Sequence, residues 1–146
     1  MQQQNHDAAL LEQVYHSAEM GERGTQLLIK KSESSPLSAK LSEFRDEYAG
    51  IRKEAADRLF AYGQTPKEAT ALETAAQWMG VQLSTLTDQS PARMAEMLIK
   101  GSAKNMIKNI EDIRQNYEAD NHTRTLAGQL VALENDCLGA MKSYLN

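Results

Sequence analysis

Four glutamates and one histidine are the residues of this chain whose chemistry suits a metal ion. Glu22, Glu47, Glu54 and Glu134 lie in segments with helical periodicity, and His16 lies in the first of these segments. Iron and manganese bind carboxylate and imidazole groups in proteins. The set could therefore hold a divalent metal ion.

The spacing of these residues does not fit a site for two metal ions. Helical bundles that bind two metals take Glu-x-x-His from each of two helices, because a three-residue step puts both side chains on one helix face. The chain contains no Glu-x-x-His; His16 precedes Glu19 in reversed order, and Cys137 follows Glu134 where histidine would stand. We therefore predict no catalytic, cofactor-binding or metal-binding residue. The four glutamates are expected to be half-solvated partners of lysine or arginine.

A basic row on the fourth helical block has two interpretations. Lys100, Lys104 and Lys108 follow one another at four-residue spacing and could face an acidic partner or a phosphate. Glu96 and Asp112 stand at the same spacing from the two end lysines, which favours a solvated helix face with ion pairs.

Composition excludes several classes of protein. The chain has 146 residues, which fits one domain over residues 7–146 after a flexible polar tail over residues 1–6. A net charge of -4 and few aromatic residues argue against nucleic-acid binding. No apolar run approaches the roughly 20 residues of a membrane span, and no signal peptide is visible. Cys137 is the only cysteine, which favours a buried thiol in a cytoplasmic protein, and His16 is expected to be a surface histidine.

Hydroxyl residues before all three prolines divide the chain into helical blocks. Ser35-Pro36, Thr65-Pro66 and Ser90-Pro91 match helix starts, where proline loses no hydrogen bond. The predicted blocks cover residues 7–33, 36–62, 66–86 and 91–119 and a last helix from about residue 121. Gly63 and Asp120 mark breaks between blocks.

Each of the bundle-forming blocks carries an apolar row that is expected to face the core. The rows are Leu11, Val14, Ala18, Gly21, Thr25 and Leu28; Leu41, Phe44, Tyr48, Ile51, Ala55 and Leu59; Met94, Leu98, Met106, Ile110, Ile113 and Tyr117; and Leu126, Leu130, Leu133, Cys137, Ala140 and Tyr144. Short connections make the first two blocks, and the last two, antiparallel pairs. The block over residues 66–86 is ~30 Å long and can carry the chain back along the bundle.

The chain resembles the ferritin-like superfamily, and more narrowly the small bacterial ferritin-like domains of unknown function. The resemblance rests on Leu11-Glu12 through Gly21-Glu22-Arg23-Gly24, on Gln77-Trp78-Met79-Gly80 in the crossover, and on Met94 to Gly101. It implies a helical bundle that often self-associates. In metal-binding relatives it implies a di-iron or di-manganese carboxylate centre.

Seven glycines fall inside the predicted helices, where each costs about 0.5–1 kcal/mol relative to alanine. They are Gly21, Gly24, Gly50, Gly80, Gly101, Gly128 and Gly139. Three explanations stay open at this point. A large side chain such as Tyr48, Trp78 or Tyr117 packs against the backbone, a second chain makes contact, or a ligand occupies a slot.

These observations predict an all-α, ferritin-like up-down four-helix bundle with an additional crossover helix between helices 2 and 4, counted in chain order. The expected function is that of a non-enzymatic structural or interaction protein that forms homo-oligomers, without cofactor, nucleic acid or membrane. One alternative is a divergent metal-dependent oxidase or metal-storage bundle that uses Glu22, Glu47, Glu54 and Glu134 with His16. The other is an adaptor that docks one apolar face on an unrelated protein.

Overall fold

Four α-helices make up most of the part of the chain that the computed structural model describes, which is residues 2–66, 88 and 90–145. Helix α1 spans Gln2–Lys31, α2 spans Ser35–Ala61, α3 spans Pro91–Gln115 and α4 spans Asn121–Lys142. These residues form no strand, which confirms the prediction of an all-α fold. The predicted crossover helix, apart from Pro66, lies outside the described residues.

The helix ends follow the predicted signals with one difference. Ser90 accepts a hydrogen bond from the Arg93 amide at the start of α3, and Asp120 does the same for Thr123 at the start of α4. At α2 the cap is Ser34 rather than Ser35, so the helix begins one residue earlier than predicted. Pro36 is therefore the second residue of α2. Proline is tolerated there, because the amide at this position also lacks a partner within the helix. Gly63 follows the end of α2 with φ of 76°, which suits glycine.

A buried carboxylate holds one end of the bundle together. Asp7 on α1 accepts hydrogen bonds from the Tyr62 hydroxyl, at 2.6 Å, and from the Asp120 amide. His6, which the sequence assigns to a polar tail, lies in α1 with its Nδ1 3.1 Å from Asn116 Oδ1. The start of α1 therefore meets the end of α2 and the turn after α3. It follows that α1 is antiparallel to both, and that α2 and α3 run in the same direction.

The core is built from the apolar rows of all four helices. The expected row of α1 is buried throughout, and those of α2 and α4 are buried except at Ile51, Ala140 and Tyr144, which are half-buried. Met97 on α3 is also fully buried. The rows predicted for these three helices are thus confirmed in their main part.

The second half of α3 is rotated relative to the prediction. Met94 and Leu98 are buried as expected, but Ile110 is exposed and Tyr117 is 66% exposed. The residues that face inward instead are polar: Ser102, Asn105, Asn109 and Asp112. Their spacing of three and four residues defines a helix face as regular as the apolar one. Hydrogen bonds inside the bundle stabilise this orientation, so the apolar row is partly left outside.

Gly21 allows α1 and α2 to pack closely. A Cβ added to Gly21 would lie within 2.5 Å of ring atoms of Tyr48, whose side chain is completely buried. This confirms for one pair the explanation that a large side chain packs against a glycine backbone. Gly50, Gly128 and Gly139 differ, because a Cβ there would meet nothing within 4 Å.

The variant Gly21→Ala should unfold more easily, although alanine is the better helix former. The added methyl group must displace the Tyr48 ring inside a packed core, which typically costs about 1–3 kcal/mol. Gly128→Ala is the matched control and should stabilise the protein by about 0.5–1 kcal/mol. Urea denaturation followed by circular dichroism measures both changes. Equal stabilisation by the two substitutions would contradict the close packing.

Candidate functional site

Seven polar or reactive side chains meet in the interior of the bundle, and we call them the interior polar cluster. They come from all four helices: Ser17 on α1, Tyr48 on α2, Ser102, Asn105 and Asn109 on α3, and Glu134 and Cys137 on α4. All of them are buried. A group of this kind is the natural place to look for chemistry, because burial changes the acidity of every ionisable member.

A chain of hydrogen bonds crosses the cluster from α1 to α4. The Ser17 hydroxyl donates to Asn109 Oδ1 at 2.8 Å, and Asn109 Nδ2 donates to Glu134 Oε1 at 2.6 Å. The amide of Asn109 thus uses its acceptor towards α1 and its donor towards α4. This pairing fixes the rotation of α3 about its own axis.

The remaining polar atoms of the cluster are less well satisfied. Glu134 Oε2, Asn105 Nδ2 and the hydroxyl groups of Ser102 and Tyr48 are buried and have no hydrogen-bond partner among the described residues. Each such group costs about 1–3 kcal/mol in a protein interior. The cluster therefore destabilises the fold, as is typical of sites that serve specificity or function rather than stability.

Glu134 is the most perturbed acid of the cluster. Its side chain has 0% exposure, and this burial raises the pKa of the carboxyl group to about 8, although the Asn109 hydrogen bond and the charge of Lys108 act in the opposite direction. At neutral pH the group is mainly protonated. The expectation that Glu134 is a half-solvated partner of lysine or arginine is wrong. The buried face of α4 is wider than a heptad row, since Leu133 and Glu134 are both inside.

Cys137 and Tyr48 are held in their neutral forms beside Glu134. Burial raises the pKa of the Cys137 thiol to about 12 and puts the pKa of Tyr48 well above its usual range. The Ser102 hydroxyl is near enough to both groups to lower these values slightly, but it forms no hydrogen bond of normal geometry. The prediction of a buried thiol is confirmed. A neutral thiol is a poor nucleophile and a poor metal ligand.

The other candidate ligands lie apart from the cluster. Glu22 forms an ion pair with Arg52, and Glu54 accepts a hydrogen bond from Arg58 at 3.1 Å, as expected for arginine partners. Glu47 is exposed. The half-buried His16 has its Nε2 3.6 Å from Glu12. Within residues 2–66, 88 and 90–145, no three His, Cys, Asp or Glu side chains converge as metal ligands would.

The basic row of α3 forms the predicted ion pairs. Lys100 lies 3.0 Å from Glu96, and Lys108 lies 3.1 Å from Asp112. Lys108 also donates to Gln13 on α1. The interpretation as a solvated helix face is confirmed for the two end lysines.

The sequence contained a signal for the interior polar cluster that hydropathy alone does not reveal. Ser102, Asn105 and Asn109 are spaced as i, i+3 and i+7, which puts small hydrogen-bonding side chains on one helix face. Interpreting that face as solvent-exposed is the reasonable default, because asparagine is mostly exposed. Only the partners on α1 and α4 make its burial favourable.

The pH dependence of stability should report the buried acid. The pKa of Glu134 in the folded chain, about 8, lies above the ordinary value of 4.5. Between these pH values the unfolded chain releases a proton that the folded chain keeps, so this residue makes the free energy of unfolding fall as pH rises. In Glu134→Gln that fall should disappear. Above this window the variant should exceed the wild type by on the order of a few kcal/mol.

Urea denaturation at a series of pH values between acid and mildly alkaline conditions measures this difference. Glu54→Gln is the matched control, because Glu54 is exposed and its pairing with Arg58 is a surface interaction. Profiles of the wild type and Glu134→Gln that run parallel through the whole range would show that the carboxyl group is not protonated in the folded state.

Comparison with known proteins identifies no relative of this chain. The chain matches no protein-family model, and no curated protein is similar to it. In the part of the chain that the structure describes, no helix combines the length and apolar character needed to cross a bilayer.

Proposed function

We propose that the chain is a ferritin-like helical bundle that acts as a non-enzymatic structural or interaction protein and associates with copies of itself in the cytoplasm. The observation that carries the proposal is the exposure of apolar side chains on α3. Ile107 is 57% exposed, Ile110 on the same helix is also exposed, and so is Tyr117 in the turn that follows the helix. A helix that buries polar residues while presenting isoleucines to solvent suits a protein–protein contact.

The helix directions support the ferritin-like part of the proposal. Two antiparallel pairs, α1 with α2 and α3 with α4, combined with parallel α2 and α3, match bundles that have one long crossover connection. Up-and-down bundles with short loops throughout would instead make α2 and α3 antiparallel.

The placement of the candidate ligands supports the non-enzymatic part. Glu22 and Glu54 are neutralised by arginines, which compete with any cation for the same oxygens. Glu134 is the member of the set that lies inside the bundle, and its burial favours the protonated form. The alternative, a divergent metal-binding oxidase or storage bundle, would have to build its site around Glu134 without the other three glutamates.

Purification in the presence of iron and manganese, followed by elemental analysis and light scattering, tests the proposal. We expect far less than one metal ion per chain and a mass of at least two chains. Near-stoichiometric metal that is lost in Glu134→Ala but kept in Glu54→Ala would establish the metal-binding alternative. A protein that stays monomeric at all concentrations would exclude self-association and favour an adaptor for another protein.

A further inference from the structure

A groove with acidic walls runs along the outer surface between α2 and α4, and we call it the acidic groove. Its lining includes the small residues Gly50 and Ala132 and the acids Glu47, Glu54 and Asp136. A Cβ on Gly50 would meet nothing within 4 Å, so no described side chain lies against this glycine. Small residues along the groove allow another helix to approach closely.

Two of the acids in this groove form no ion pair with a described residue. They are Glu47 on α2 and Asp136 on α4. Lys40 lines the adjoining pocket with them, but its Nζ lies 3.1 Å from Glu43 and is paired with that carboxylate. Glu54 differs, because Arg58 lies 3.1 Å from it. Like charges on neighbouring helices repel each other, so a positively charged occupant would be favoured.

The outer side of α3 carries a matching surface, which we call the basic ridge. It consists of Lys100, Lys104, Ile107 and Lys108, all exposed. Glu96 and Asp112 pair with Lys100 and Lys108, so the unbalanced positive charge of the ridge is that of Lys104, which forms no ion pair with a described residue. Ile107 is an exposed apolar side chain of the same ridge. The ridge from Lys100 to Lys108 is ~12 Å long, and Glu47 and Glu54 are ~10.5 Å apart, at 1.5 Å per helical residue.

We propose that the acidic groove of one copy receives the basic ridge of a second copy. This inference rests on the self-association proposed above and specifies its geometry. Pairing of groove with groove would bring Glu47 and Asp136 of both copies together, and pairing of ridge with ridge would do the same for the lysines. Charge therefore selects a contact between two different surfaces, which closes into a ring or continues as a filament.

Charge reversal of each surface tests this geometry. Lys104→Glu damages the ridge, and Asp136→Lys damages the groove, so each variant alone should associate at least tenfold more weakly than the wild type. An equimolar mixture of the two should regain association, because the unaltered ridge of Asp136→Lys can bind the unaltered groove of Lys104→Glu, and the two altered surfaces also have opposite charges. Lys31→Glu, an exposed site at the end of α1, is the control for net charge.

Light scattering after size-exclusion chromatography, at low and high salt, measures the outcome for the full chain. We expect association of the wild type to weaken with salt and the Lys31→Glu control to behave like the wild type. Circular dichroism verifies that each variant is folded. Restored association in the mixture supports the contact between ridge and groove.

Two results would overturn the inference, and they differ in what they mean for the function. If the wild type associates but the charge variants do so equally well, self-association stands and the contact lies elsewhere. If the wild type is monomeric at all salt concentrations, both the contact and the proposed self-association fail.

Discussion

The bonding of Asn109 between Ser17 and Glu134 is the constraint on which most of the structure depends. It joins α1, α3 and α4 through one side-chain amide and thereby sets the rotation of α3. Because that rotation turns Ser102 and Asn105 inward, the isoleucines at positions 107 and 110 must face outward. The interior polar cluster and the exposed apolar surface of α3 are two results of the same helix orientation.

The orientation of α3 therefore connects the unfavourable burial of polar side chains with the exposure of apolar side chains on the outer surface. If α3 buried its apolar row instead, the core would contain fewer polar atoms, and mainly polar and charged side chains would remain on the outer face of the helix. The observed arrangement leaves buried polar atoms without a partner among the described residues and exposes apolar side chains to water, and both are unfavourable for an isolated chain. The proposed contact with another copy would remove the second of these costs.

The sequence predicted those parts of the fold that local rules determine. Caps at Ser90 and Asp120, the break at Gly63 and the buried row of α1 follow from backbone chemistry and helical periodicity. The rotation of α3 could not be predicted in this way, since its apolar and polar rows are equally regular. What decides between them is Asn109 finding partners on two other helices, and no single helix contains that information.

Glu134 illustrates the same limit for the candidate site. On the sequence it looks like other glutamates beside a heptad row, and only the width of the buried face of α4 separates it from them. For Glu22 and Glu54 the expected pairing with arginine is confirmed, and their partners Arg52 and Arg58 are themselves half-buried.

The contact between Gly21 and Tyr48 has a consequence for motion. A phenol ring that turns by half a revolution needs free space around it, and the backbone of Gly21 packs closely against this ring. In a close-packed interior that space arises only when neighbouring helices separate briefly. The rate at which the Tyr48 ring flips therefore reports how often the α1–α2 pair opens. The NMR line shapes of the ring protons measure this rate.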